Sequence, residues 1–378
     1  MIVFPYEFNR RKTAIFKAVG KTSGGMKGFP IVPLSFRDWP ETAARVDFAL
    51  KRAKRRPRSR FWNWLKKQLL RGQYNWSRNY FTKNSDHIAL AWNGLGGTRM
   101  AFLQGAEDAG AAKLHAELAP FPKKFTLDPV GVNAENSVPR SQKFYLDWAQ
   151  SDVSRTGNDW RGIGDNLIAR PSRRTDVGQS TEPLAQTPFI FCPLQVPTDS
   201  QVTLFAGSYG GIEGFIAALT EAVQYLPEGW HLRLKEHPSA RVSLHAKLEK
   251  ILATGRVVLD NERDSFAQLA ASRGVVTLNS SMGLQAFFFD KPVIVAGQAF
   301  FAQPGLVECC PDGPSLREAF DMVETLSFDA AFRSIFMNWL CREYYPGLDL
   351  THHEPIYSEA EISRKLLQAR EISGRKIT

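Results

Sequence analysis

The stretch TPFIFCPLQ (187–195), followed by GIEGFIAALTEAVQYL (211–226) and WHLRLKEHP (230–238), decides the fold. A short apolar run, a segment with helical period and a stretch in which apolar side chains alternate read as strand, helix and strand. The rhythm continues through SLHAKLEKILATG (243–255), RVVLD (256–260), DSFAQLAAS (264–272), GVVTLNS (274–280), MGLQAFFFD (282–290) and KPVIVAG (291–297). Strands alternating with helices of about ten residues imply parallel pairing through right-handed crossovers, hence an open α/β sheet. A Rossmann-like domain is predicted over residues 187–325.

Working toward the N-terminus, HIALAWNG (87–94), GTRMAFLQGAEDAG (97–110) and AKLHAEL (112–118) repeat the β-α-β pattern, so a second α/β domain is predicted within residues 1–186. Residues 1–85 read as irregular apart from one basic helix, and 151–186 as an exposed connection. Toward the C-terminus, FDAAFRSIFMNWLCREYY (328–345) is amphipathic. It predicts that residues 326–378 are helices packing back across both domains.

The 378 residues, 43% hydrophobic, are enough for two cores. Cys192, Cys309, Cys310 and Cys341 show neither zinc spacing nor a disulfide framework. The apolar start of MIVFPYEFNRRKT is broken by Glu7 and Arg10, and no later run approaches the ~20 residues of a spanning helix. These features predict a protein of the cytoplasm.

The formal charge of +10 is unevenly spread. Residues 1–80 carry 19 Lys or Arg against 4 Asp or Glu, a balance of +15, which leaves −5 for the rest. The densest part is KRAKRRPRSRFWNWLKKQLLRGQYNW (51–76), where Phe61, Trp64, Leu65 and Leu69 recur at helical spacing beside Lys66, Lys67 and Arg71. Two readings stand level: a helix lying peripherally on the anionic inner face of the cytoplasmic membrane, or a solvated basic helix docked on its own domain by those aromatics. Nucleic acid ranks last, because no DNA- or RNA-binding motif accompanies the charge.

In an open parallel sheet the ligand sits outside the carboxyl ends of the strands. Polar residues follow three predicted strands there: Gln195 to Asp199, Lys235 to Ser239, and Asn279 to Ser281. Pro238 biases His237 toward an extended backbone, and an imidazole so held would stabilise a departing phosphate. The plainer reading is a loop histidine satisfied by a carbonyl. Asn279, Ser280 or Ser281 can cap the next helix, whose first-turn N–H groups suit a phosphate, and Gly283 permits close approach of a ligand or a neighbouring backbone. Plain capping needs nothing more than a Ser or Asn. GSYGG (207–211) is a weaker signal; with Gln195 it offers Ser208 and Gly210 as candidate sugar or phosphate contacts. Asp199 and Glu117 are the candidate acids, against the plainer reading of surface carboxylates.

Together PLQVPTDSQV (193–202), LKEHPS (234–239), TLNSSMGLQAFFFDKPVIVAGQAFFAQPGLV (277–307) and HAELAPFPKKFTLDPVGVNAENSVP (115–139) resemble the capsule polysaccharide biosynthesis and export proteins that act as β-Kdo transferases. The resemblance implies a GT-B-like α/β architecture, two Rossmann-like domains facing across a cleft, with CMP-Kdo as donor, a glycan or glycolipid acceptor, and no metal or other cofactor. It implies that Lys235, His237, Pro238, Asn279, Ser280 and Ser281 grip the CMP, and that Asp199 is a nucleophile that retains the β configuration. Glu117 matches the first acid of a Glu-Asp-Gly-Phe-like element, but Leu118-Ala119-Pro120-Phe121 follows here. The His-Pro and Ser-Ser motifs also fit CDP-glycerol phosphotransferases and UDP-sugar 2-epimerases. A non-catalytic capsule assembly scaffold is the rival from another class.

Overall fold

The structure, a computed structural model, describes residues 1–375 other than 55–58, 170, 183, 185 and 186. The chain divides into two compact units, one of residues 1–119, 123–138 and 340 onward, the other of 120–122 and 139–339.

The first unit holds β1 (Ile2–Pro5), α1 (Arg10–Thr22), β2 (Met26–Phe29), α2 (Thr42–Lys51), α3 (Arg60–Lys83), β3 (Ile88–Trp92), α4 (Gly97–Asp108), β4 (Lys113–Leu118) and β5 (Phe125–Asp128). The sheet order is β2-β1-β3-β4-β5, parallel except for the antiparallel β4–β5 edge. Side chains alternate across the sheet. Ile88, Leu90 and Trp92 face Ile15, Phe16 and Val19 of α1 and Ile362 and Leu366 of the C-terminal helix (Glu359–Arg375). The small Ala89 and Ala91 let Phe81 of α3 and Phe102 and Ala106 of α4 approach the opposite face.

Residues 1–85 are therefore not irregular. β1 is buried and lies inside the sheet between β2 and β3, and Asn9 caps α1 by accepting the Arg11 and Lys12 N–H groups. Four residues buried on both faces show no alternation, so the strand gives no periodic signal.

The second unit holds α5 (Gln142–Gln150), β6 (Phe189–Pro193), α6 (Ser200–Phe205), α7 (Ile212–Ala222), β7 (His231–Lys235), α8 (His245–Leu252), β8 (Val257–Leu259), α9 (Ser265–Ala271), β9 (Gly274–Thr277), α10 (Ser281–Gln285), β10 (Val293–Val295), β11 (Glu308–Cys309), α11 (Gly313–Asp321) and α12 (Ala330–Trp339). Its six strands are all parallel in the order β11-β10-β9-β6-β7-β8. Ile190, Cys192, Leu232, Leu234 and Val276 build the core with Phe215, Leu219, Leu248 and Phe320 from the crossover helices.

The units divide at 138/139 and 339/340, where the sequence placed boundaries at 186 and 325. Tyr145 of α5 packs on Phe336 and Trp339 of α12, and Trp160 is buried against Phe288. The segment expected as an exposed connection is pinned further along: the Gly178 N–H donates to Asn261 O, and Ser180 bridges Arg263. Backbone hydrogen bonds and a few aromatics hold it, and neither leaves a hydrophobic period to read.

Candidate functional site

The second sheet reverses its build direction between β6 and β9. The chain runs from β6 outward to β7 and β8, then returns to β9 on the other side of β6. At such a switch point the flanking loops diverge and leave a crevice at the carboxyl edge. The loops bordering it carry Gln195 to Asp199 and Asn279 to Ser281, and β7, on the far side of β6, brings Lys235 to Ser239. His237 and Ser280 thus follow strands two places apart, about 10 Å across the sheet.

Several of the expected ligand residues are instead used up within the protein. Gln195 and Asn279 are buried and bond one another: Gln195 Nε2 donates to Asn279 Oδ1 at 2.9 Å, and the Asn279 N–H donates to Gln195 Oε1 at 3.2 Å. Asn279 Nδ2 donates to the Gln201 and Phe205 carbonyls, both at 2.9 Å. The pair ties the end of β9 to the loop after β6. Lys235 is 2% exposed, and its ammonium donates to the carbonyls of Gly178, Asn261 and Arg263 at 3.1, 2.9 and 2.6 Å. That satisfies all three donors and leaves none for a phosphate. Burial pushes its pKa below the usual lysine range.

Glu236 is buried as well. It accepts from Ser243 Oγ and the Leu244 N–H, both at 2.8 Å, and pairs with Arg174, while its own N–H donates to Asn261 Oδ1 at 2.9 Å. The hydrophobic strand ends in charge because those charges fix the loop. Pro238 is buried, and its carbonyl accepts the Arg173 N–H at 2.8 Å. Between them His237 is only half-buried. Its Nδ1 accepts the Ser239 N–H at 3.0 Å, so the neutral ring is the Nε2–H tautomer, a hydrogen-bond donor.

Ser280 caps α10 by accepting the Met282 N–H at 3.2 Å, and its own N–H donates to Thr277 Oγ1. Ser281, the first helical residue, is exposed, and among the described residues its hydroxyl has no hydrogen-bond partner. Gly283 serves packing: a Cβ there would lie 3.0 Å from Thr277 Cγ2 and 3.1 Å from the Phe301 ring. Asp199 caps α6. Its Oδ1 accepts the Gln201 N–H at 2.9 Å, and Oδ2 has no partner among the described residues. The Ser208 hydroxyl donates to the Pro311 carbonyl, and Gly210, at φ 67°, is needed for its turn. The GSYGG loop is thereby joined to the segment leading into α11, with the Ser208 hydroxyl engaged there.

Glu117 lies in the first unit, at the end of β4. The switch point of that sheet falls between β1 and β3, because the chain passes from β1 to β2 and returns to β3 on the other side. Asn93, just beyond β3, adopts φ 60°, a conformation uncommon for a residue with a Cβ, and donates Nδ2 to Glu117 Oε2 at 3.0 Å. Its carbonyl accepts from His115 Nδ1 at 2.8 Å. Glu7, just beyond β1, is buried and pairs with both Lys12 and Arg99. Glu7, Asn93 and Arg99 are the polar residues at this switch point that sequence reasoning missed. An acid two residues after the IVFP run was the available signal. No group of three metal-ligating side chains occurs among the described residues.

Residues 158–314 match the family described as capsule polysaccharide biosynthesis protein. Protein FixF of Sinorhizobium fredii (strain NBRC 101917 / NGR234) is 28% identical over 247 residues, 65% of this chain and 54% of that protein. Capsule polysaccharide modification protein LipB of Neisseria meningitidis is 27% identical over 133 residues, 32% of this chain and 30% of LipB. The chain thus spans about half the length of FixF, and its match to LipB covers under a third of that protein. Among solved structures, Thermosulfurimonas dismutans KpsC, beta Kdo 2,7 transferase, superposes with a TM-score of 0.51 at 15% identity, covering 97% of this chain and 99% of that one. At that identity the match shows the fold, which is GT-B-like with two Rossmann-like units. The quoted motifs, the family match and the fold agree: this chain is similar to the capsule polysaccharide biosynthesis proteins in sequence and to a β-Kdo transferase in architecture.

Proposed function

We propose that the protein is a glycosyltransferase of capsule-type polysaccharide synthesis. It would move Kdo, or a related 3-deoxy-ulosonic acid, from its CMP-sugar to a glycan or glycolipid acceptor and retain the β configuration. The observation that carries this reading is the switch point of the second sheet. There the adjacent strands β9, β6 and β7 bring Ser281, Asp199 and His237 to one edge, none of the three buried.

In the proposed mechanism the CMP phosphate lies against the His237 Nε2–H and the Ser281 hydroxyl. Asp199 Oδ2 attacks the anomeric carbon; the bond from that carbon to the phosphate oxygen breaks, and its electron pair leaves with CMP. Both donors strengthen as charge develops on the departing phosphate. An acceptor hydroxyl, giving up its proton to a base, then displaces Asp199 from the same carbon. Two inversions restore the original configuration, and the scheme calls for no metal or other cofactor.

Incubating the protein with CMP-Kdo and candidate acceptors, and weighing the products, tests the reading. Asp199→Ala should cost about 1 kcal/mol of stability through the lost cap and abolish turnover. Turnover that survives would remove Asp199 as nucleophile. Thermal stabilisation by UDP and not CMP would favour an epimerase, CDP-glycerol turnover a phosphotransferase, and binding of neither nucleotide a scaffold.

A further inference from the structure

The first six residues of α3, Arg60 to Leu65, are all exposed, whereas its later turns pack on the fold. No residue from Arg60 to Leu69 is buried, whereas Leu70, Tyr74 and Phe81 are fully enclosed. Cover begins with α2, whose Asp47 pairs with Lys67 at 2.7 Å, and continues with residues 34–38: a Cβ on Gly72 would lie 3.1 Å from Leu34, the Ser35 N–H donates to Gly72 O at 3.0 Å, and Arg71 pairs with Asp38 at 2.7 Å. About 9 Å of helix therefore projects.

That projecting part carries three aromatic residues within four positions. Phe61, Leu65 and Leu69 form one stripe at i, i+4 spacing, with Trp62 on one shoulder and Trp64 on the other. Phe61, Trp62 and Trp64 are 62%, 59% and 55% exposed. Their rings pack on one another, Phe61 edge-on to Trp62 at 5.6 Å and stacked with Trp64 at 6.3 Å. A helix docked on its own domain by these aromatics would bury them, so that reading fails.

The charge around the stripe names the occupant. By helical geometry Arg60 borders the Trp64 shoulder and Lys66 the Trp62 shoulder, while Lys67, beside Trp64, pairs with Asp47 at 2.7 Å. Residues 48–85 contain 12 Lys or Arg and no Asp or Glu. Protein interfaces are depleted of lysine at their centres. Tryptophan and phenylalanine at headgroup depth, with lysines and arginines beside them reaching lipid phosphates, are the pattern of an interfacial helix. No helix among the described residues is long and apolar enough to cross a membrane. We propose that the exposed start of α3 is an anchor that seats the first unit on an anionic lipid bilayer. The anchor is independent of the donor chemistry proposed above, so the two can fail separately.

Co-sedimentation of the full chain with phosphatidylcholine vesicles, with and without phosphatidylglycerol, tests the anchor without an activity assay. Binding is expected only to the anionic vesicles, with a blue shift of tryptophan emission. Trp62→Ser/Trp64→Ser should abolish both while leaving the melting temperature unchanged, since neither ring is buried. Lys54→Gln/Arg60→Gln should weaken binding roughly fivefold per charge and leave the shift intact at saturation. No binding to anionic vesicles, binding indifferent to the tryptophan substitutions, or a soluble oligomer that those substitutions dissolve would overturn the proposal.

Discussion

Lys235 separates the structural account of the site from the one its sequence suggests. A lysine beside a His-Pro motif reads as a phosphate ligand, yet its ammonium is enclosed by three carbonyls, two from the 261–263 turn and one from Gly178. Lys235→Met keeps length and apolar stem while removing the charge. Each hydrogen bond from a charged donor contributes about 1.5–3 kcal/mol. The loss is offset by the cost of holding a desolvated ammonium, which the lowered pKa reports. A net destabilisation of about 3 kcal/mol follows. Urea unfolding and calorimetric titration with CMP, on the same preparation, should show an earlier midpoint and, for the protein that remains folded, an affinity within about twofold of the parent. An affinity reduced about tenfold or more with stability unchanged would place Lys235 on the nucleotide and refute the assignment.

His237→Ala, removing a single donor to the phosphate, should weaken CMP binding by about 1.5–3 kcal/mol with little change in stability, and unchanged calorimetric affinity would exclude it from the site. Gly283→Ala drives a methyl group against Thr277 and Phe301 and should lower stability by about 1–3 kcal/mol in denaturant titration; an unaltered midpoint would show that α10 has room to move. Gln195→Ala and Asn279→Ala should be non-additive by about 0.5–3 kcal/mol, because each removes the other's partner, and additive losses would deny the clamp. Burial pushes His115 down to about 4, against about 6.5 when unfolded. As pH falls through that interval the unfolded chain takes up a proton the folded one refuses, so stability drops by about 3 kcal/mol. His115→Gln should flatten that part of the profile, and an unchanged slope would assign it to other groups.

The second sheet was legible because β6 is a five-residue apolar run and β7 alternates leucines with polar residues, with helices of a clearly different period between them. The first was only half legible. β3 and β4 announce themselves, but β1 is four residues long, and its partner β2, MKGF, is not apolar. Missing β1 hid the order β2-β1-β3, hence the switch point, and with it Glu7, Asn93 and Arg99. The aromatic half of α3 could be found by spacing, but its environment could not. Whether Phe61 and Trp64 pack inward or project depends on where residues 34–38 lie, and no local pattern encodes that.

The polar residues at the strand ends expose a deeper limit. Sequence marks Gln195, Asp199, Lys235, Glu236, His237, Asn279, Ser280 and Ser281 as one class, since all are polar groups emerging from apolar strands. Burial divides them in two. Gln195, Lys235, Glu236, Asn279 and Ser280 are enclosed and bonded to backbone or to each other, whereas Asp199, His237 and Ser281 are at least partly open. The enclosed groups hold the open ones. Asn279 fixes the start of α10 immediately before Ser281, and Glu236 fixes the position immediately before His237. A site that stabilises charge only as a bond breaks needs donors already in position, because reorienting them during the step would consume the stabilisation they provide. An open sheet edge has no packed core to impose that rigidity, so buried polar clamps are the available means of supplying it.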